Sequence, residues 1–356
     1  MSREVLVTVT GDGTFRAPAP ASVPAGSDAT LEALLRLRSM LGDDLEEQIA
    51  ARLTLPAALG TDETDHLLPA SLVLLAGTTG DLASYGWRVG TGSGLAWRRA
   101  RDRREQILDA ARIAWLGYEG PVQLTTLGPL TLAGATFLGS GERTVADRGA
   151  LRELPVLLAE GLIDQTARVR RQLPGAAVEL LIREDGIADV LHGRLPTPSG
   201  YRRYPAIPAE EIAPLWRSLL AILAEEELPV TLAPGAEAPL LRAARSAGAG
   251  SLAVDPAGLP ALEAGRGRDA WETLAAAREA GEAITWVLRA GRPGRALDHV
   301  AASWGRLGHG RAELAGFTLQ AAAAPVSGSV GSALLTEAEL TAVLRQAPPW
   351  AERIRD

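Results

Sequence analysis

Cysteine is absent from the 356 residues. Disulfides, thiolate nucleophiles and cysteine-ligated zinc are therefore excluded outright. Lysine is absent too, so arginine carries all the permanent positive charge, which by itself says nothing about mechanism. The net charge of −7 leaves no strongly basic balance, and this argues against a nucleic-acid partner, because phosphate backbones need a basic face. No apolar run is long enough for a bilayer: the longest, residues 67–76, is broken by Pro69 and Ser71. The opening MSREVLVTVTGDG shows no basic segment followed by an apolar stretch, so no signal peptide is expected. These absences lead to the expectation of a cytoplasmic protein with neither membrane nor nucleic acid as partner.

What is present describes a folded chain. Hydrophobic residues make up 47% and charged residues 22%, an ordinary globular balance. The length exceeds that of a typical single domain but is normal for an α/β barrel. A β-branched run at residues 5–10 ends in Gly11-Asp12-Gly13-Thr14, a strand and a tight turn. Pro18, Pro20 and Pro24 delay regular structure until Ser27 or Asp28 can cap a helix reaching about residue 41. Residues 45–94 read as irregular, with short helices broken at Pro56, Gly60 and Pro69. Gly90-Thr91-Gly92-Ser93-Gly94 reads as a linker, since no strand precedes it and no Lys follows it.

From residue 95 onward the reading is regular. Residues 95–116 have helical spacing, with Ile107, Leu108, Ala111, Ala114 and Trp115 on one face. Arg98, Arg99, Arg101, Arg103 and Arg104 lie on the other, interleaved with Asp102, Glu105 and Asp109 as a solvated face. Strands are expected at 122–127, 177–182, 229–233, 251–254, 283–288 and 317–321. Helices are expected between them at about 142–175, 209–226, 236–247, 269–280 and 296–307. Thr336 and Glu339 form a capping box for a terminal helix. No linker divides the chain. Seven or eight strand–helix units in this length predict a single-domain (β/α)8 barrel with a parallel sheet.

In such a barrel, chemistry collects where strands end. Those positions are Gly11 to Thr14, Leu127-Gly128-Pro129, Arg183-Glu184-Asp185, Ala233-Pro234, Asp255 and Arg289. The richest is the central stretch 173–204, where an apolar strand empties into Arg183-Glu184-Asp185-Gly186 and a polar loop carrying His192, Arg194, Thr197, Ser199 and Tyr201. Charged residues at a buried strand end are costly unless they face a site. Two arginines converging with three or four carboxylates suit a small ligand bearing carboxylates, gripped by guanidinium forks.

Three segments carry a family resemblance. GYEGPVQLTTLGPLTLAG at 117–134, the central stretch ending GRLPTPSGYRR, and the opening VTVTGDGTF resemble the cobalamin-independent methionine synthases. The match is to the single-barrel actinobacterial proteins of that kind, in the superfamily that includes uroporphyrinogen decarboxylase. The resemblance extends from Thr8 to about Pro325 and is strongest at 117–134 and 173–201. It implies a (β/α)8 barrel in which zinc, held by His, Cys, Glu and a second Cys, activates a homocysteine thiol for methyl transfer from a folate. The residues here depart from that pattern. The strand 229–234 holds neither the His nor the Cys, and Ala321 to Ala324 stand where the last Cys belongs. The family's Asp-Glu-Pro is replaced by Arg183-Glu184-Asp185: Glu184 keeps its place, and the Asp has become a cation. His66, His192, His299 and His309 show no metal spacing.

The expectation is a divergent barrel with no metal, folate remaining a candidate ligand. Glu184 and Asp185 are the candidate catalytic groups. Gly13, Thr14, Arg183, Arg194, Ser199, Tyr201 and Asp255 are the candidate substrate-binding residues. Metal-independent transfer of a methyl or alkyl group, to a substrate needing no thiolate activation, is one activity left open. A non-catalytic partner subunit and a metal-free decarboxylase-like enzyme are the alternatives, and a homo-oligomer or hetero-complex is open.

Overall fold

Twelve short strands carry the architecture of the computed structural model, which describes residues 5–23, 27–43, 45–46, 48–60, 62–90, 92–263, 265–289, 291–326 and 330–355. In chain order they are β1 Val7–Gly11, β2 Ile49–Ala51, β3 Leu53–Leu55, β4 Gly80–Ala83, β5 Gly86–Val89, β6 Pro121–Leu127, β7 Phe137–Leu138, β8 Ala177–Arg183, β9 Val230–Ala233, β10 Ser251–Val254, β11 Ala283–Arg289 and β12 Phe317–Ala322. Nine form one parallel sheet in the order β2-β1-β12-β11-β10-β9-β8-β6-β3. The two ends of that order are one strand split at Arg52. Its first half pairs with β1 and its second with β6, so the ring closes with eight strands' worth of backbone. At the split, the Arg52 N–H still bonds Val9 O at 2.9 Å, while the Thr10 hydroxyl donates to Arg52 O at 3.1 Å. The chain is thus a mixed α/β, (β/α)8-like barrel, as expected.

The expectation for residues 45–94 is corrected in the structure. Among its described residues this segment supplies mostly strand: the split strand, a single short helix at Leu67–Leu72 and the antiparallel β4–β5 hairpin, which β7 extends. From residue 95 on, helices and strands fall close to their expected bounds, notably Leu95–Ala114, Arg148–Gln172, Ala209–Glu225 and β10. The 13-residue helix Ala29–Leu41 also follows Asp28 as expected. The arginine-rich face is only partly solvated: Arg98, Arg99 and Arg101 are exposed, whereas Arg103 and Arg104 turn inward. Among the described residues no helix is long and apolar enough to cross a membrane.

The two faces of the barrel differ in kind. Residues opposite one another in adjacent strands share a face, and that face alternates along each strand. The outward set is apolar: Leu124, Leu180, Ile182, Leu232, Leu252, Val254, Leu288 and Leu319 are buried under the helices. Aromatic residues are few, but six of the eight tryptophans are fully buried in this outer layer. Trp286 packs 6.0 Å from Trp271 and 5.7 Å from Phe317, centroid to centroid. Each such side chain withdrawn from water contributes about 1.5–3 kcal/mol.

The inward set runs through Thr10, Gln320 and Val287, aligned across β1, β12 and β11. On the other side of the ring Thr54 aligns with Gln123, Gln123 with Glu179, and Leu181 with Thr125 and Thr231. Barrel interiors are usually filled by Val, Ile and Leu. Here a small apolar cluster of Leu181, Ala253, Val287 and Ala322 sits among hydroxyl and amide groups. The Arg52–Glu179 ion pair, at 3.0 Å, closes the lumen near the strand starts.

Candidate functional site

Strand β8 shows how the lumen becomes a site. Its inward residues Glu179, Leu181 and Arg183 mark the bottom, middle and top, and the strand stops as Arg183 enters the mouth. The Arg183 side chain is largely buried. Its Nε and Nη2 donate to the two carboxylate oxygens of Asp185 at 3.1 and 2.7 Å, and its Nη1 donates to Asp12 O at 2.9 Å. The Asp12 carboxylate lies 3.5 Å from the same Nη1. Burial opposes the Arg183 charge, but Asp185 and Asp12 together hold the guanidinium above its ordinary range.

Asp12 is the hub of the mouth. It is 1% exposed; Oδ1 accepts from the Thr14 N–H at 3.0 Å and the Thr14 hydroxyl at 2.8 Å, and Oδ2 accepts from the Ala323 N–H at 3.0 Å. The carbonyl of Ala323 accepts from Arg289 Nη1, and Arg289 Nε donates to Asp255 Oδ2 at 2.7 Å. Asp185, Arg183, Asp12, Ala323, Arg289 and Asp255 therefore form one continuous polar chain. It spans the mouth from β8 through β1, β12 and β11 to β10. Three carboxylates and two guanidiniums converge, as the strand-end reading anticipated.

Gly13 shapes the same place. It sits at φ +89°, and a Cβ there would collide with Thr125 on the inner face of β6. Only glycine lets the β1 turn close over the lumen. Thr14 is buried, and its hydroxyl also accepts from the Leu335 N–H at 3.0 Å, so it braces the turn.

Glu184 points the other way. It alternates out of the lumen, is 2% exposed, and accepts four hydrogen bonds. The Leu130 and Trp216 N–H groups reach Oε1 at 3.2 and 2.8 Å, and the Thr131 N–H and hydroxyl both reach Oε2 at 2.7 Å. It anchors the start of the helix Pro129–Ala135. Burial raises its carboxyl above the usual range, and the four donors oppose that rise.

Among the described residues no bond draws the loop candidates into the mouth. Arg194 is exposed and pairs with Asp189 at 2.8 Å. Ser199 bonds the Thr197 hydroxyl at 3.2 Å, and Tyr201 is 94% exposed. Ser199 and Tyr201 occupy a turn whose flanks pair at Pro196 and Arg203, where Arg143 Nε donates to Pro196 O at 3.1 Å. Asp255 is at the mouth, capping Ala257 N at 2.9 Å besides pairing with Arg289.

Asp12 and Arg289 lie at strand ends that the sequence marks, yet neither is among the candidate site residues read from it. The signal was parity: Thr8, Thr10 and Asp12 alternate onto one face, as do Thr285, Val287 and Arg289.

The donor set does not fit the zinc site implied by the resemblance. The four histidines are scattered: His192 pairs with Glu237, His309 with Glu313, His299 packs on Trp271, and His66 precedes the helix Leu67–Leu72. Among the described residues no three His, Asp or Glu side chains come together as a metal would require. Comparison with protein-family models finds no match. Comparison with curated proteins finds none either.

Proposed function

We propose that this barrel is a divergent, metal-independent relative of the methionine synthase barrels, acting in the cytoplasm on a small carboxylated or folate-like ligand held at its mouth. The observation that supports this most directly is the pair of strand-end guanidiniums, Arg183 and Arg289, set in one polar chain above a polar lumen. Asp185 is exposed and Asp255 half-buried, so each can swing toward water and release a guanidinium fork to an incoming carboxylate. Asp12 stays behind as the fixed, buried partner that aims Arg183. Asp185 is then the side chain placed to exchange a proton with a bound ligand, while Glu184 supports the helix start.

A second reading, a non-catalytic subunit that has kept the barrel, draws support from the saturation of Glu184. The side chain at the family's glutamate position has all four of its bonds made inside the fold. Thermal-shift measurements with folates, homocysteine and simple dicarboxylates separate the two. A ligand-dependent rise in melting temperature that Arg289→Met removes supports the binding mouth. A flat response across the panel supports the partner subunit.

A further inference from the structure

A second cationic feature lies outside the barrel, in a groove of about 310 Å3 between the helices Leu95–Ala114 and Arg148–Gln172 and the segment 73–79. Arg104 lines it, and its neighbour in sequence, Arg103, has the opposite fate. Arg103 Nε donates to Asp65 at 2.8 Å and its Nη1 to the Thr30 hydroxyl at 2.9 Å, so its charge is met inside the protein. Arg104 is half-buried with a single bond, from Nη1 to Ala70 O at 3.1 Å, and no carboxylate among the described residues pairs with it. A withdrawn charge left without a counter-charge is costly. Desolvation, only partly countered by Glu105 and reinforced by Arg168, brings Arg104 down to about 10; it remains a cation at neutral pH.

The groove adds to that charge. Arg101, one turn earlier on the same helix, lines it exposed and without an ion pair among the described residues, and Arg168 faces it from the opposite helix. Glu105 engages Arg168, and Asp164 is the other carboxylate in the lining. Three guanidiniums against two carboxylates make a locally positive recess on a chain of net charge −7.

We infer that this groove binds a phosphate-class oxyanion, with Arg104 as its half-buried anchor and Arg101 and Arg168 closing on it from the rim. Planar forks converging from two helices match the bidentate geometry that phosphate oxygens accept. The volume holds the anion together with a small organic group. The site is separate from the mouth and does not depend on the reading given for it.

Thermal-shift titration of the full chain with inorganic phosphate, against potassium chloride of equal ionic strength, tests this. Wild type shows a saturable rise in melting temperature. Arg101→Gln weakens the apparent phosphate affinity about tenfold with no change in the starting melting temperature. Arg104→Met starts no lower than wild type, because it removes an uncompensated charge, and shows no saturable rise. Arg289→Met, at the mouth, leaves the phosphate response intact. The inference is overturned by a phosphate response no larger than that to chloride, by one that survives in both Arg101→Gln and Arg104→Met, or by one lost in Arg289→Met. An equal rise with acetate overturns the phosphate class in favour of a simple carboxylate.

Discussion

Arg183 Nη1 donates to the main-chain oxygen of Asp12 at 2.9 Å, joining the end of β8 to the turn after β1 across the mouth of the barrel. The two strands are not neighbours in the sheet. The contact is therefore a tie over the lumen, and it makes the cation proposed to grip the ligand and a barrel-closing strut the same side chain. Removing it by Arg183→Met leaves Asp12 buried with its carboxylate charge unmet. The expected loss is about 3–5 kcal/mol in denaturant unfolding, against less than about 1 kcal/mol for Arg289→Met, whose partner Asp255 is partly solvated. Equal small losses at both positions would show that the tie is not a strut.

Releasing a guanidinium should act in the opposite sense to removing it. In Asp255→Asn, Arg289 keeps its place but loses its competing carboxylate. Affinity for a carboxylated ligand is expected to rise about three- to tenfold over wild type. Titration calorimetry with succinate reads this; weaker binding in Asp255→Asn would mean that Asp255 itself contacts the ligand.

Glu184→Gln is a test of support without chemistry. Both carboxylate oxygens accept two bonds each, so an amide must turn its NH2 toward a pair of donors whichever way it flips. About 2–4 kcal/mol of unfolding free energy is expected to be lost. Trp216→Phe, which removes one donor, should cost less, about 1–2 kcal/mol beyond any packing change. Ligand affinity at the mouth is expected to survive Glu184→Gln in whatever fraction remains folded.

Gly13→Ala should be poorly tolerated for two separate reasons, the left-handed φ and the collision with Thr125. A loss of about 2–4 kcal/mol is expected in urea unfolding. Pairing it with Thr125→Gly, which removes the Cβ, hydroxyl and methyl that the new Cβ would strike, should make the Gly13→Ala loss smaller than it is in the Thr125 background; an equal loss in both backgrounds would assign the whole effect to the backbone.

Acid sensitivity is expected from His66. Burial, opposed by Asp65, brings it down from 6.5 to about 4, and its Nδ1 is buried without a hydrogen-bond partner among the described residues. The unfolded chain takes up a proton near 6.5 and the folded chain only near 4, so between these values the unfolded state binds more protons. Stability is then complete above about pH 7 and falls as the pH drops, by about 2 kcal/mol between pH 7.5 and 5. His66→Asn should flatten the pH profile in that window; an unchanged slope would place the titration elsewhere.

Much of the barrel was legible because β6, β8, β10, β11 and β12 are short apolar runs bounded by Gly, Pro or charge, with amphipathic helices between them. The split strand was not. Ile49-Ala-Ala-Arg-Leu-Thr-Leu55 contains two small residues and a central charge, and each half is three residues long. It is a strand only because β1 and β6 supply partners on either side, which no local pattern records. Glu184 was misleading for a related reason: in a run of three polar residues, Arg183 and Asp185 face the mouth while Glu184, one step out of phase, faces the helices. The polar lumen was present in the alternation of Thr8, Thr10 and Asp12, but one-sided alternation in a parallel barrel reads at first as noise beside the apolar residues that flank it. Arg194, Ser199 and Tyr201 follow the central strand in sequence, and that proximity does not become contact at the mouth.

The most direct test of the mouth is titration calorimetry of wild type and Arg289→Met with succinate and with folic acid. The account predicts saturable binding of at least one of them to wild type and at least a tenfold loss of affinity in the variant, which remains folded. Failure of both to bind wild type, or an affinity that Arg289→Met leaves unchanged, would contradict it.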